Sequence, residues 1–256
     1  MAEMTLAELA SYGVEWPPTQ DELPYDDGMP METHRHVLQM QLLMDPLRAY
    51  LSGHREAFVG GNILVCFSLE QVRNQDFRGP DFFVALDVPK RDRKSWVVWQ
   101  EGKGPDVVIE LLSDSTAAQD KGEKKAVYQN CLRVPEYFWF DPYTAEWVGF
   151  SLRDGQYEPI EVDAQGQLRS QQLGLALVRW EGTYQEESAR WLRWARLDGT
   201  LLPTPQEVAE AAQRHAEEVE RRAAEAQQQA AEAQQRAREL EALLTRYRER
   251  FGDVPK

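Results

Sequence analysis

At 256 residues and 29.5 kDa the chain has room for one full-sized domain and an appendage. Hydrophobic residues at 42% and charged residues at 28% argue against wholesale disorder, and no apolar run approaches the roughly 20 residues needed to cross a bilayer. The formal charge of −14 argues against a general DNA-binding surface, because such surfaces neutralise phosphates with Lys and Arg.

The N-terminus, MAEMTLAELASYGVEW, has neither a basic n-region nor an apolar h-region and does not read as a secretory signal. Residues 1–31 form a Pro-rich lead-in, with WPP at 16–18 and LPYDDGMP at 23–30. Thr33 is placed to cap a helix to about Leu51, whose apolar face includes Val37, Leu38, Leu42, Leu43, Leu47 and Leu51. Pro46 lies inside it and is expected to kink the helix or split it.

After Ser52-Gly53, short runs of Val, Ile, Phe and Trp alternate with turn clusters, which is a strand signature. Strands are predicted near Ala57–Val59, Ile63–Ser68, Asp81–Leu86, Trp96–Gln100, Val107–Leu112, Tyr137–Asp141, Glu146–Leu152 and Leu175–Trp180. One helix, from about Thr116 to Cys131, interrupts them. A hairpin turns at Asp154-Gly155, and Arg190–Arg196 with Asp198–Leu202 reads as a last short hairpin. All eight Trp fall between Trp16 and Trp194, so the core is expected there. The fold class is α+β, with a mixed sheet and a few helices over residues 32–202.

From Pro203 to Lys256 the composition shifts to Ala, Glu, Gln and Arg, and no Gly or Pro stands between Gln206 and Phe251. Residues from Val208 to Tyr247 follow spacings of three and four, a heptad pattern with a mostly alanine seam. The tail is therefore either a solvated single helix or a weak coiled coil. It holds 9 Lys+Arg against 11 Asp+Glu, or −2, leaving 20 against 32, or −12, in the body. Cys66 and Cys131 lack metal-type spacing and read as buried free thiols, so the cytoplasm is the expected compartment.

The chemistry concentrates between Gly79 and Pro142. Asp81 follows Gly79-Pro80 at the start of an apolar strand. Glu110 lies inside VVIELL, where an ionised carboxylate is costly without a cation or a hydrogen-bonding partner. Two carboxylates presented by neighbouring strands at one sheet edge suit a hard divalent ion such as Mg²⁺ or Mn²⁺. The following helix carries Lys121, Lys124 and Lys125, and a lysine reaching over the metal could orient water and stabilise a phosphate transition state. Taken singly, each residue also has a structural explanation: a turn aspartate, a paired buried glutamate, a surface lysine. Ser113 to Thr116 reads as a turn with an N-cap, and Tyr128 and Tyr137 as packing residues. No G-x-S-x-G, phosphate loop or zinc set is present.

The motifs LPYDDG, ETHRH, RGPDFF, VVWQEGKGPDVVIELLSDST, DKGEKKAVY and VPEYFWFDP, in that order, resemble the Uma-two family of endonucleases. That family is a branch of the PD-(D/E)xK, restriction-endonuclease-like superfamily, and the resemblance covers about residues 23–200. It implies that Asp81 is the PD aspartate and Glu110 the acidic residue of (D/E)xK. Leu112 stands where the standard motif has lysine. The resemblance places that lysine on the next helix, in Asp120-Lys121-Gly122-Glu123-Lys124, which makes Lys124 the choice over Lys125. It also implies a helix-borne acidic residue, Glu32, with His36 one turn along. The implied function is Mg²⁺- or Mn²⁺-dependent cleavage of DNA by Asp81, Glu110, Lys124 and Glu32, with Asp81 and Glu110 holding the metal and homodimers common in the superfamily. A non-catalytic binding scaffold and an oligomerising interaction protein driven by the tail remain as alternatives.

Overall fold

A computed structural model describes residues 17–23, 33–73, 79–113 and 116–252. The chain divides into two compact units, Met1–Thr204 and Pro205–Lys256.

The first unit is mixed α+β. Its main sheet has six strands in the order β1-β3-β5-β6-β7-β8: β1 (Ala57–Gly60), β3 (Phe82–Leu86), β5 (Val107–Leu111), β6 (Glu136–Phe140), β7 (Trp147–Arg153) and β8 (Gln156–Ile160). β5 and β6 are parallel, and every other neighbouring pair is antiparallel. The parallel pair lies at the centre and is buried on both faces, which is why VVIEL reads as a continuous apolar run rather than an alternation. A three-stranded antiparallel sheet, β11-β10-β9, is built from β9 (Gln167–Ser170), β10 (Leu175–Tyr184) and β11 (Glu187–Ala195). β2 (Val65–Cys66) pairs in parallel with β4 (Trp96–Val97).

Strand parity separates the core into two faces. Phe82, Val84, Val107, Ile109 and Leu111 pack with Leu43 and Leu47 of helix α1 (His34–Ser52) and with Leu177 and Trp194 of the smaller sheet. Phe83, Ala85, Val108 and Tyr137 point the other way and pack with Tyr128. By the same period-two rule Glu110 belongs to the second face. That face is covered by α4 (Ala117–Gln119), a π-helical turn (Asp120–Lys124) and α5 (Lys125–Asn130), which form the crossover between β5 and β6.

Two carboxylates outside that crossover are buried with full sets of donors. Glu136 accepts from the Ser170 hydroxyl and the Gln171 and Gln172 N–H groups, tying β6 to the turn after β9. Glu101 pairs with Arg93, whose buried guanidinium lies 4.9 Å from the rings of Phe58 and Trp96. From α1, the Gln39 amide donates to the Leu192 carbonyl at 2.8 Å and accepts from the Leu192 N–H at 2.9 Å.

Several expectations are corrected. Thr33 caps α1 as predicted, but Pro46 does not split it, because the buried Leu42, Leu43, Leu47 and Leu51 hold one continuous helix. The strand predicted over Trp96–Gln100 stops at Val97. Helix α3 (Val98–Glu101) follows, closed by Gly102 at φ 77°, and lets the Trp96 indole donate to the Lys103 carbonyl. The predicted strand Ile63–Ser68 shrinks to Val65–Cys66 and is followed by helix α2 (Leu69–Arg73).

The predicted helix from Thr116 to Cys131 is interrupted by the π-helical turn, where the Tyr137 hydroxyl donates to the Asp120 carbonyl and competes with the helical ladder. β11 begins at Glu187 and pairs with β10 along its length, through a turn at Gln185 (φ 48°) and Glu186 (φ 67°). Residues 198–202 return to it only through one bridge, Ala195 to Leu201. Cys66 is buried, but Cys131, at the helix end, is exposed. The Asp154-Gly155 hairpin forms as predicted, with both residues at positive φ.

The second unit is one helix, α6 (Pro205–Phe251). Val208, Val219, Leu240, Leu244 and Tyr247 of its seam are exposed. Among the described residues no helix is long and apolar enough to cross a membrane.

Candidate functional site

Asp81 precedes β3, and antiparallel pairing sets Phe82 beside Ile109. Asp81 is thereby brought to Glu110. The Asp81 N–H faces Glu110 Oε2 at 3.4 Å, and Asp81 Oδ2 accepts from the Leu111 N–H at 2.7 Å. The chain leaving β1 approaches Asp81 closely. A Cβ at Gly61 would lie 2.7 Å from the Asp81 carbonyl and 2.7 Å from Met40 Sδ, so Gly61 allows a close backbone approach, whereas Gly60 makes room for the Phe58 and Phe83 rings.

Glu110 is fully buried. Its Oε1 accepts from the Tyr128 hydroxyl at 2.5 Å, and its Oε2 accepts from Lys124 Nζ at 3.2 Å. Lys124 Nζ also lies 2.7 Å from Asp120 Oδ1. Asp120 is fully buried, with the Lys124 ammonium and the Thr116 side chain as its polar neighbours. One ammonium thus faces Glu110 and Asp120, with Asp81 beside them. Lys121 and Lys125 turn elsewhere: their ammonium groups sit 4.4 Å over Trp139 and 3.5 Å over Phe150.

Burial dominates the electrostatics. It pushes the Glu110 carboxyl up to about 7, against the pull of Lys124 and with help from Asp81. Burial likewise raises Asp81, opposed by the Leu111 N–H and Lys124, and raises Asp120, reinforced by Glu110. For Lys124, burial alone would lower the ammonium, but Glu110 and Asp120 outweigh it and hold it firmly charged. Shifts of this kind gathered in one buried cluster mark functional-site candidates.

Of the residues expected from sequence, Asp81, Glu110 and Lys124 come together, while Glu32 lies outside the described residues. His36 is buried, with Nδ1 2.8 Å from the Thr33 hydroxyl and Nε2 3.2 Å from the Leu112 carbonyl. It is a satisfied packing histidine near the end of β5. Two contributors escaped the sequence reading as site residues, Asp120 and Tyr128. Both share a stripe with Lys124 at four-residue spacing, which is the signal that could have found them.

Among the described residues no group of three or more His, Cys, Asp or Glu is arranged to hold a metal ion by itself. The donors nevertheless suit a hard divalent cation. Mg²⁺ is commonly held by one or two carboxylates with water filling the remaining positions, and Asp81 and Glu110 are two such carboxylates brought side by side by the β3–β5 pairing.

The model of the Uma2 family, described as "Putative restriction endonuclease", matches residues 12–181. The chain belongs to this family. The Uma2 match spans both strands and the crossover that carry Asp81, Glu110 and Lys124. A solved structure entitled as a "putative nuclease belonging to DUF820", from Anabaena variabilis, is similar at 19% identity and a TM-score of 0.41, covering 67% of this chain and 91% of that one. No curated protein matches the chain.

Proposed function

We propose that this Uma2 member is a metal-dependent nuclease that hydrolyses DNA phosphodiester bonds. The observation that carries this is Glu110, fully buried in the central strand with Lys124 Nζ at 3.2 Å and Asp81 alongside. A carboxylate so placed is costly unless cations neutralise it. Membership of a family described as restriction endonucleases supports nuclease-like chemistry.

Asp81 and Glu110 would hold Mg²⁺ or Mn²⁺, which when bound supplies Lewis acidity and an activated water. The chain's own residues do the rest. Tyr128 ties down Oε1 of Glu110 and leaves Oε2 facing the cations. Asp120 holds the Lys124 ammonium beside Glu110, where it can stabilise charge developing on phosphate oxygens. Glu32, adjacent to the Thr33 cap of α1, would add a further carboxylate. With a body of −12, DNA contact would depend on such local cations and on the metal. The free thiols suit a cytoplasmic setting, and the exposed seam of α6 suits a homodimer.

The test is calorimetric titration of Mg²⁺ and Mn²⁺ into the wild type, Asp81→Asn and Glu110→Gln, with plasmid nicking on the same samples. Binding and nicking are expected in the wild type and neither in the variants. Metal binding without nicking of any DNA form would instead favour a non-catalytic nuclease-fold binding protein, a second reading that the acidic body supports. No metal binding at all would overturn the metal site.

A further inference from the structure

We propose that a cavity at the far end of β1 and β3 from Asp81 is a phosphate-binding site. Ala57 in its wall pairs with Leu86, whereas Asp81 precedes Phe82, so the two places lie roughly 15 Å apart along β3. The cavity of about 300 Å³ has Arg48, Arg55, Lys90 and Arg91 in its lining, and among the described residues no carboxylate lines it. Four of its nine lining residues are cationic, in a body that carries only 20 cations over 202 residues. The carboxylates that meet the three arginines, Asp45, Asp87 and Glu101, stand outside the lining, and Lys90 has no ion pair among the described residues.

The three arginines are anchored by named partners. Arg48 donates from Nε and Nη2 to the Val59 carbonyl at 3.1 and 2.9 Å, with Asp45 3.9 Å from its Nη1. Arg55 pairs bidentately with Asp87, and Arg91 Nη2 meets Glu101 at 2.7 Å. Each guanidinium has five N–H donors in a planar fork, so these bonds leave donors free. Lys90 adds an exposed ammonium. Forked guanidinium groups around a point charge match the tetrahedral oxygens of a phosphate, which carries enough negative charge to answer several cations at once. Leu51 and Phe58 supply an apolar wall suited to the organic part of a phosphorylated molecule.

The phosphate could belong to a nucleic-acid backbone or to a free phosphorylated molecule, and the experiment separates the two. The full chain in EDTA, which keeps divalent metal out of the Asp81–Glu110 site, is titrated with pyrophosphate and, separately, with a labelled DNA duplex. The variants are Lys90→Glu and, as an equal charge change elsewhere, Arg153→Glu on the β7–β8 hairpin. Lys90 is exposed, so thermal stability should be unchanged. Pyrophosphate affinity is expected to fall about ten-fold in Lys90→Glu and to hold in Arg153→Glu. A parallel loss of duplex affinity with a shallower salt dependence would identify the backbone as the source, and an unchanged duplex affinity would identify a free phosphorylated ligand. Failure of the wild type to bind either probe at low salt, or equal losses in the two variants, would overturn the proposal. Neither result bears on metal-dependent nicking at Glu110, which is measured separately.

Discussion

The Tyr128 hydroxyl donates to Oε1 of Glu110 at 2.5 Å, inside the sheet face that the β5–β6 crossover covers. Tyr128→Phe would leave that oxygen buried without its donor, at a cost of about 1–3 kcal/mol. The bond also opposes the upward push of burial on Glu110, so its loss should raise the carboxyl further. Mn²⁺ affinity near neutral pH should therefore weaken in Tyr128→Phe, and the deficit should narrow as pH rises, as calorimetry at two pH values would read.

Glu110 titrates at about 7 in the fold, against 4.5 for an ordinary glutamate. A carboxyl that keeps its proton longer in the folded than in the unfolded state stabilises the fold fully below the lower value. That contribution is lost as pH rises through the higher one. Asp81 and Asp120, also raised, act with the same sign. In EDTA, thermal stability should fall between about pH 5 and pH 8, and Glu110→Gln, neutral throughout, should fall less steeply. Added Mn²⁺ should stabilise the wild type more at the upper end, since metal binding needs the ionised form. Parallel slopes for the two proteins would remove Glu110 as the titrating group.

Asp120 meets the Lys124 ammonium at 2.7 Å. Asp120→Asn keeps the shape and removes the charge, so the ammonium is held less firmly beside Glu110. Nicking should slow by about ten-fold or more, while Mn²⁺ affinity should change much less than in Glu110→Gln. Steady-state nicking and titration on one preparation would test the split.

At Gly61 an added methyl group meets the Asp81 carbonyl and Met40, whereas at Gly53 it meets nothing within 4 Å. Gly61→Ala should cost about 1–3 kcal/mol and weaken metal binding by shifting Asp81. Gly53→Ala should leave both unchanged. Chemical denaturation with metal titration would compare them.

Leu240, Leu244 and Tyr247 are the bulkiest exposed positions of the α6 seam. If that seam pairs two chains, Leu240→Glu combined with Leu244→Glu should leave a monomer at concentrations where the wild type sediments as a dimer. Wild-type protein that sediments as a monomer at every concentration would retire the homodimer.

Much of this architecture was legible where composition and period agree. The run VVIEL announced a central strand because it lies between two cores, and Glu110 stood out as its one charge. Asp81 was legible through its Gly-Pro approach, and Lys124 through the family motif rather than its spacing alone. The strand predicted at Trp96–Gln100 failed because two tryptophans and two valines suit a strand, while Gly102 closes a helical turn that periodicity does not register. The β10–β11 turn was missed because Gln185 and Glu186 take positive φ without Gly, Asn or Asp to signal it. Asp120 stayed hidden because a charged residue on a polar helix looks solvated until the π-helical turn carries it inward.

Helix α1 does more than pack. Gln39 answers both outward-facing backbone groups of Leu192 on β11, as a neighbouring strand would, and Arg48 closes the outward carbonyl of Val59 on β1. Both strands end their sheets, and such unpaired borders are templates for intermolecular strand addition. Two side chains of one helix therefore act as built-in plugs against self-templating. Damage at Gln39 should show itself as aggregation from a still-folded protein, before any loss of its core.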